Sequence, residues 1–113
     1  MNLRTCLPGA IALACAFASP ASAETGIASV YWQPQRLACG GRLDTTSLTA
    51  AHKRLPCGSK VRVHHLGSGR SVVVKIRDRG PYIGGRVIDL TPAAARAIGM
   101  PMGLARVRLD IIR

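Results

Sequence analysis

Five carboxyl side chains follow the apolar N-terminal stretch of this 113-residue sequence, and these groups could exchange protons with a reacting bond. Asp110 falls on the polar face of the last predicted strand, where a solvated charge is the ordinary interpretation. Asp44 lies among Gly, Arg and Thr, which predicts a turn. Glu24 directly follows a predicted leader and is expected to be mobile. Asp78 and Asp89 therefore remain as candidates for acid–base chemistry.

Asp78 follows the apolar run Val72–Arg77 and begins the sequence Asp-Arg-Gly-Pro. Strand alternation places its side chain on the same side as the even-numbered valines and isoleucine of that run. A carboxyl group on an apolar side is poorly solvated, which favours its protonated form, as a general acid for glycosidic cleavage requires. Turn chemistry explains the same four residues as well, because Asp, Gly and Pro favour successive turn positions. Both interpretations remain open at this point.

Asp89 and His52 are the next candidates. Asp89 shortly precedes a predicted helix, where it could merely gain from the positive end of the helix dipole. A role in a functional site is the alternative. His52 could orient a carboxylate or hydrogen-bond a sugar hydroxyl, and a purely structural role is also open. His64 and His65 point to opposite faces of a predicted strand and cannot grip one metal together.

The first 23 residues have the pattern of a secretory signal peptide. Arg4 precedes an apolar run, Leu7–Phe17, and small residues end the segment at Ala23. Cleavage there leaves residues 24–113 as one small exported domain, in the periplasm or elsewhere in the cell envelope. The run is shorter than the roughly 20 residues of a membrane-spanning helix, so no stable membrane insertion is expected. The sequence before Cys15 is a poor lipid-attachment signal, so lipid anchoring there is not expected.

Two cysteines, Cys39 and Cys57, lie beyond the predicted leader with 17 residues between them. In an oxidising compartment they favour a disulfide, and a loop of this length corresponds to about 3 kcal/mol of stabilisation. Metal ligation by these thiols with His52, His64 or His65 is the alternative, although the spacing matches no zinc pattern. We therefore expect neither a metal nor a cofactor.

The charge balance indicates an anionic partner. Arg4 is the one basic residue of the predicted leader, so the remaining chain keeps 15 of the 16 Lys and Arg and all five acids, a net charge of +10. Export favours an acidic envelope polymer over nucleic acid, for which a basic helix or an aromatic stacking platform would be expected. A basic surface that only keeps the protein soluble is the other interpretation. Nothing in the sequence indicates more than a monomer.

A hydrophobic period of two dominates the chain and predicts about six short strands. Two short helices are predicted: one over Ala93–Ile98, capped by Thr91 and ended by Gly99, and one turn within Ser47–Lys53. A mainly antiparallel barrel closes its own edges and fits these elements. The clearest predicted strands are Gly26–Trp32, Lys60–His64, Arg70–Arg77, Arg86–Leu90 and Leu104–Ile112.

Four blocks of the chain, in order and correctly spaced, closely resemble the rare lipoprotein A family of endolytic peptidoglycan transglycosylases. They are Gly26–Trp32, Leu48–Pro56, Val72–Tyr82 and Gly85–Leu90. The resemblance implies a mainly β fold, a six-stranded double-psi β-barrel with one or two short helices, related to expansins and barwin-like domains. It also implies cleavage of peptidoglycan glycan strands, with preference for strands stripped of stem peptides.

The resemblance also implies roles for individual residues. Asp78 matches the acidic residue of the family's Asp-Arg-Gly-Pro block, and His52 matches its motif histidine; both are predicted to be catalytic. In the lytic reaction the sugar's own C6 hydroxyl attacks C1 of N-acetylmuramic acid, so one residue serves as acid and then as base. Substrate contacts are predicted for Asp89, Arg79, Tyr82 and Arg86, and the pair Cys39–Cys57 resembles the disulfide of small secreted relatives.

One departure from the family weakens the enzymatic interpretation. Gly41 stands where the family usually carries a glutamate. A non-catalytic module that binds or loosens cell-wall glycan, as expansins do, is therefore the second hypothesis. A secreted basic inhibitor or antimicrobial protein of the barwin type is the third.

Overall fold

The computed structural model describes residues 23–100 and 103–112, which contain six strands and one helix. Apart from Ala23, the predicted leader lies outside these residues. No helix within them has the length and hydrophobicity that crossing a lipid bilayer requires. In chain order the elements are β1 (Glu24–Val30), β2 (Thr49–Ala51), β3 (Lys60–His65), β4 (Ser71–Asp78), β5 (Arg86–Leu90), α1 (Pro92–Ala97) and β6 (Ala105–Ile112).

The six strands close into a barrel in the order β1-β5-β2-β4-β3-β6, with β6 pairing back onto β1. Two neighbouring pairs, β1–β5 and β2–β4, are parallel, and the other four pairs are antiparallel. The barrel is therefore mainly antiparallel, as the sequence predicted. Closure leaves these strands no unpaired edge.

Alternation along the strands fills the barrel with small and branched apolar side chains. In β4 every second residue from Val72 to Asp78 is buried. In β6 Val107 and Leu109 are buried, whereas Arg106 and Arg108 face solvent. The period-two pattern thus separates the core from a basic outer surface, as predicted.

Helix α1 begins and ends where its capping residues predicted. The Thr91 hydroxyl accepts a hydrogen bond from the Ala94 N–H and donates one to the carbonyl of Ser47, which ties the helix start to the strand region before β2. Pro92 occupies the first turn, and Gly99, with φ of 72°, follows the C-cap. A positive φ favours glycine there.

The helical turn predicted within Ser47–Lys53 is wrong, because Thr49–Ala51 forms strand β2. Ala50 pairs with Leu90 on one side and with Ile76 on the other. Alanine favours helices locally, but pairing between two strands in the barrel wall outweighs that weak preference.

Two of the acids set aside from catalysis act in local structure. The hydrogen bond from Arg108 holds the pKa of Asp110 below its usual range, and His64 also binds this carboxylate. Asp44 accepts hydrogen bonds from the backbone and the hydroxyl of Thr46, which confirms the predicted turn. His65 instead binds the carbonyl of Ile98, so the two neighbouring histidines do diverge.

Candidate active site

Strand register brings the two candidate aspartates into one row across the barrel wall. Ser29 of β1 is paired with Asp89 of β5, Asp89 with Ala51 of β2, and Ala51 with Asp78 of β4. Paired residues on neighbouring strands point to the same face of a sheet. Asp78 and Asp89 therefore lie on one face with a single small side chain between them, and their backbones are about 10 Å apart.

Asp78 is the most enclosed acid of this row, with 8% of its surface exposed. The burial that strand alternation predicted is thereby confirmed. A carboxylate oxygen accepts a hydrogen bond of 2.7 Å from the backbone N–H of Ala38. The Cys39 N–H donates to the carbonyl of Arg77. The segment around residues 38–39 therefore lies along the end of β4 and fixes the orientation of the Asp78 carboxyl.

A disulfide joins Cys39 to Cys57, with the two Cα atoms 5.8 Å apart. It confirms the predicted pairing and leaves neither thiol available to a metal. Gly58, next to the second cysteine, donates its N–H to the carbonyl of Ile76. Both ends of the bridge are thus hydrogen-bonded to β4 at Arg77 and Ile76, the two residues before Asp78.

Tyr31 completes the group, and no sequence motif singled it out. It directly follows β1, and its backbone N–H donates to the carbonyl of Leu90. The hydroxyl is buried and has no hydrogen-bond partner among the described residues. Burial raises the pKa of Tyr31, and the negative charges of Asp78 and Asp89 raise it further. The phenol therefore stays a neutral donor within electrostatic range of both carboxyl groups.

Asp89 belongs to strand β5 and not to the first turn of α1. Its carboxylate accepts a hydrogen bond from the Ser29 hydroxyl. Thr91 occupies the helix N-cap, and the first turn of the helix contains no acidic residue. The interpretation of Asp89 as a helix-dipole partner is therefore not supported, whereas a position in the row beside Asp78 agrees with the predicted sugar-binding role, which stays a prediction.

The His52 ring is buried, with 4% exposed, and its hydrogen bonds go to residues other than Asp78. Its Nδ1 accepts hydrogen bonds from the N–H groups of Arg54 and Leu55, so Nε2 carries the proton and donates to Glu24 at 2.9 Å. Only the backbone links this residue to the candidate acid: the His52 N–H donates to the Asp78 carbonyl. A direct catalytic role of His52 stays a prediction.

Glu24 corrects the expectation of a mobile residue. It belongs to β1, where it pairs with Leu109, and its carboxylate bonds the His52 ring. Pairing in the barrel wall orders this residue, which sequence position alone could not indicate.

The predicted substrate contacts differ in how free their side chains are. The Arg79 guanidinium donates from one nitrogen to the carbonyls of His52 and Leu55, which holds it in place and leaves further N–H groups for a substrate. Tyr82 is 75% exposed just beyond the Asp-Arg-Gly-Pro turn. Arg86 is half-buried at the start of β5. Contacts of all three with substrate stay predictions.

Gly41 lies close to the row, in the loop held by the disulfide. Its φ of 82° is one that glycine adopts readily. A Cβ atom at this position would lie 3.6 Å from the nearer guanidinium nitrogen of Arg77. An acidic side chain at position 41 would therefore lie close to the guanidinium of Arg77, the residue before Asp78.

A comparison with known families agrees with this barrel and this row. The family model described as "Lytic transglycolase" matches residues 23–109. The chain belongs to this lytic transglycolase family. The match begins before β1, ends within β6 and includes both aspartates, and the resemblance stated from the four sequence blocks is confirmed.

Relatives of known description support the same assignment. A "Probable endolytic peptidoglycan transglycosylase RlpA" of Synechocystis is 52% identical over 92 residues, which cover 78% of this chain and 29% of the relative. The corresponding protein of Pasteurella multocida is 44% identical over 95 residues, covering 80% and 32%. The chain thus spans about a third or less of the length of these relatives.

Solved structures confirm the double-psi barrel class. A Streptomyces papain inhibitor has a TM-score of 0.65 at 24% identity, covering 82% of this chain and 96% of that one. An expansin of Clavibacter michiganensis without ligand has a TM-score of 0.63 at 22% identity, covering 80% and 50%. At these identities the likeness concerns the fold alone.

Proposed function

We propose that this domain is a lytic transglycosylase that cleaves peptidoglycan glycan strands, prefers strands lacking stem peptides, and leaves 1,6-anhydro-N-acetylmuramic acid ends. The observation that carries the proposal is the position of Asp78. This carboxyl is 8% exposed, ends β4, and shares a row with Asp89 in a chain of the lytic transglycolase family. The relatives are named as endolytic peptidoglycan transglycosylases, which supports the same activity.

Asp78 acts as the single acid and base in this proposal. In its protonated form it gives a proton to the oxygen of the glycosidic bond as the bond to C1 of N-acetylmuramic acid breaks. The resulting carboxylate then accepts the proton of the C6 hydroxyl as that oxygen bonds C1, so no water is consumed. The enclosed site suits both steps, because exclusion of water strengthens the interactions of the carboxyl group with the sugar.

The remaining residues bind and position. Asp89, held by Ser29, accepts a hydrogen bond from a sugar hydroxyl on the neighbouring strand of the wall. Tyr82 and Trp32 are exposed aromatic side chains that follow Asp78 and Tyr31 in the chain, and they pack against sugar rings. His52 holds the Asp78 backbone through its N–H, while its ring is fixed by Glu24.

Export completes the proposal. A leader ending at Ala23 would deliver the domain to the cell envelope, where peptidoglycan and an oxidising environment are both present. The Cys39–Cys57 disulfide agrees with that environment.

A non-catalytic glycan-binding module is the second candidate, and Gly41 favours it. The family acid is missing at this position, and a relative of expansin shape need not cut the chain to bind it. The likeness to an expansin barrel agrees with either function.

Product analysis separates the two candidates. The purified domain is incubated with peptide-free glycan strands, and the new ends are examined by mass spectrometry. Anhydro ends, which are lighter than hydrolysed ends by one water, are expected from the enzyme. Binding to the strands without new anhydro ends would leave only the binding module, and ordinary reducing ends would indicate a hydrolase.

Replacing Tyr31 by phenylalanine is expected to separate activity from stability. The neutral hydroxyl near Asp78 and Asp89 stabilises the carboxylate that forms when Asp78 releases its proton, so its loss lowers kcat by about tenfold with little change in KM. Because the hydroxyl has no hydrogen-bond partner within residues 23–100 and 103–112, its removal is expected to leave the thermal midpoint equal or higher. Steady-state kinetics and thermal melts measure both; a lower midpoint with full kcat would make Tyr31 purely structural.

A further inference from the structure

A cleft of about 340 Å³ opens on the outer face of the barrel next to the row of aspartates. Three cations line it, Arg42, Lys75 and Arg77, together with Leu37 and Leu48. We call these five residues the cationic cleft. Leu48, Lys75 and Arg77 lie within two of the four blocks that carry the family resemblance, but none of the five residues was predicted to contact substrate.

Strand register connects the cationic cleft to Asp78. Thr49 of β2 pairs with Lys75 of β4, and two residues further along β2, Ala51 pairs with Asp78. Alternate residues of a strand share a face, and so do paired residues of neighbouring strands. The register shifts between Ala50 and Ala51, so β4 has one extra residue before Asp78, and Lys75 and Asp78 lie on the face of Thr49 and Ala51. Along β4 the distance from Lys75 to Asp78 is about 10 Å. A glycan strand bound at Asp78 therefore reaches the cleft with a neighbouring sugar.

The cleft keeps a positive charge that no carboxylate of the described residues neutralises through an ion pair. Arg77 donates one hydrogen bond to the carbonyl of Gly40, which fixes its guanidinium and leaves further N–H groups free. Asp44 also borders the cleft; one oxygen of its carboxylate accepts from Thr46, and this bond lowers the pKa of Asp44. Three cations against one ionised acid leave a local charge of +2.

We propose that the cationic cleft binds the free lactyl carboxylate of the next N-acetylmuramic acid along the strand, separated by one N-acetylglucosamine from the N-acetylmuramic acid whose bond Asp78 cleaves. Leu37 and Leu48 pack against the apolar face or the methyl groups of the same sugar. This inference rests on the proposed function and names the part of the substrate that the enzyme distinguishes.

The chemistry of peptidoglycan gives this contact a selective effect. The stem peptide is attached to the lactyl group through an amide, so removal of the peptide releases a carboxylate. A cation binds the carboxylate through charge-assisted hydrogen bonds, which an amide cannot match. The cleft therefore favours stripped strands through attraction to the group that stripping creates.

Binding measurements test the cleft without relying on cleavage. Calorimetry in the Asp78→Asn background compares peptide-free glycan strands with the same strands after their lactyl carboxylates are converted to amides. Arg42→Gln with Lys75→Gln is expected to weaken binding of the free-acid strands by about tenfold. Binding of the amidated strands should change by no more than about twofold, since their interaction with the cations is already lost.

A matched control removes the same charge elsewhere. Arg62→Gln with Arg106→Gln takes two exposed cations from β3 and β6, outside the cleft, and should leave the difference between the two ligands intact. Equal weakening of both ligands by the cleft variant, or no weakening, would overturn the proposal. Equal dependence of a DNA oligonucleotide on the same residues would assign the cleft to polyanions in general. Absence of anhydro ends with wild-type protein would defeat the proposed activity alone.

Discussion

Replacing Asp78 by asparagine is expected to reduce release of anhydro ends by about 10²- to 10⁴-fold, the usual contribution of a general acid–base group. Asparagine has nearly the same shape, and its side-chain oxygen can still accept the N–H of Ala38. It cannot donate a proton to the leaving oxygen at neutral pH. The fold and the binding of glycan strands should therefore survive while cleavage is lost.

Asp110→Asn is the matched control, because it makes the same chemical change on β6, where the carboxylate binds His64 and Arg108. Rates of anhydro-end formation by mass spectrometry and glycan affinity by calorimetry are compared across the three proteins. Cleavage by the Asp78 variant at a rate close to wild type would remove this residue from its assigned role.

Removing the Cys39–Cys57 bridge is expected to cost about 3 kcal/mol of folding free energy, because the unfolded chain regains the freedom of an 18-residue separation. In a domain of this size that loss lowers the thermal midpoint by roughly 12 to 24 °C. A second effect concerns the site. The bridge holds the segment whose Ala38 N–H orients the Asp78 carboxyl. Without the bridge, the rate of anhydro-end formation should therefore fall by more than the loss of folded protein explains.

Thermal melts of the wild-type protein and of Cys39→Ser with Cys57→Ser, each with and without a reductant, test this expectation. The reductant should shift the wild-type midpoint and leave the double variant unchanged. Coincident melts of all four samples would show that the bridge contributes nothing to stability. The cleavage rate of the double variant is measured at temperatures below its thermal midpoint and divided by the folded fraction. A corrected rate below that of the wild type reports a less constrained Asp78 carboxyl.

The sequence predicted those elements whose signal is local. Period-two alternation identified the long strands, and capping residues identified α1. Strand β2 was missed, because its three residues gain their conformation from Leu90 and Ile76 on both sides rather than from their own propensities. The two parallel pairings likewise join segments far apart in the chain, which no local pattern specifies.

The site divides in the same way. Burial of Asp78 was predicted from strand parity, a local property, whereas the register shift that pairs it with Ala51 was not predicted. The involvement of Tyr31 depends on three strand registers and on a side chain beyond the end of β1, so no spacing rule could find it. The contact between His52 and Glu24 likewise forms only when the start of β1 and the residue after β2 come together in the folded barrel.

The row of Ser29, Asp89, Ala51 and Asp78 takes one residue from each of four neighbouring strands of the barrel. Ser29 and Asp89, which are hydrogen-bonded to each other, stand sixty positions apart in the polypeptide. No short fragment of the chain can reproduce this arrangement, and detachment of any one of the four strands destroys it. Inactivation by heat or urea should therefore coincide with global denaturation and show no active, half-open species.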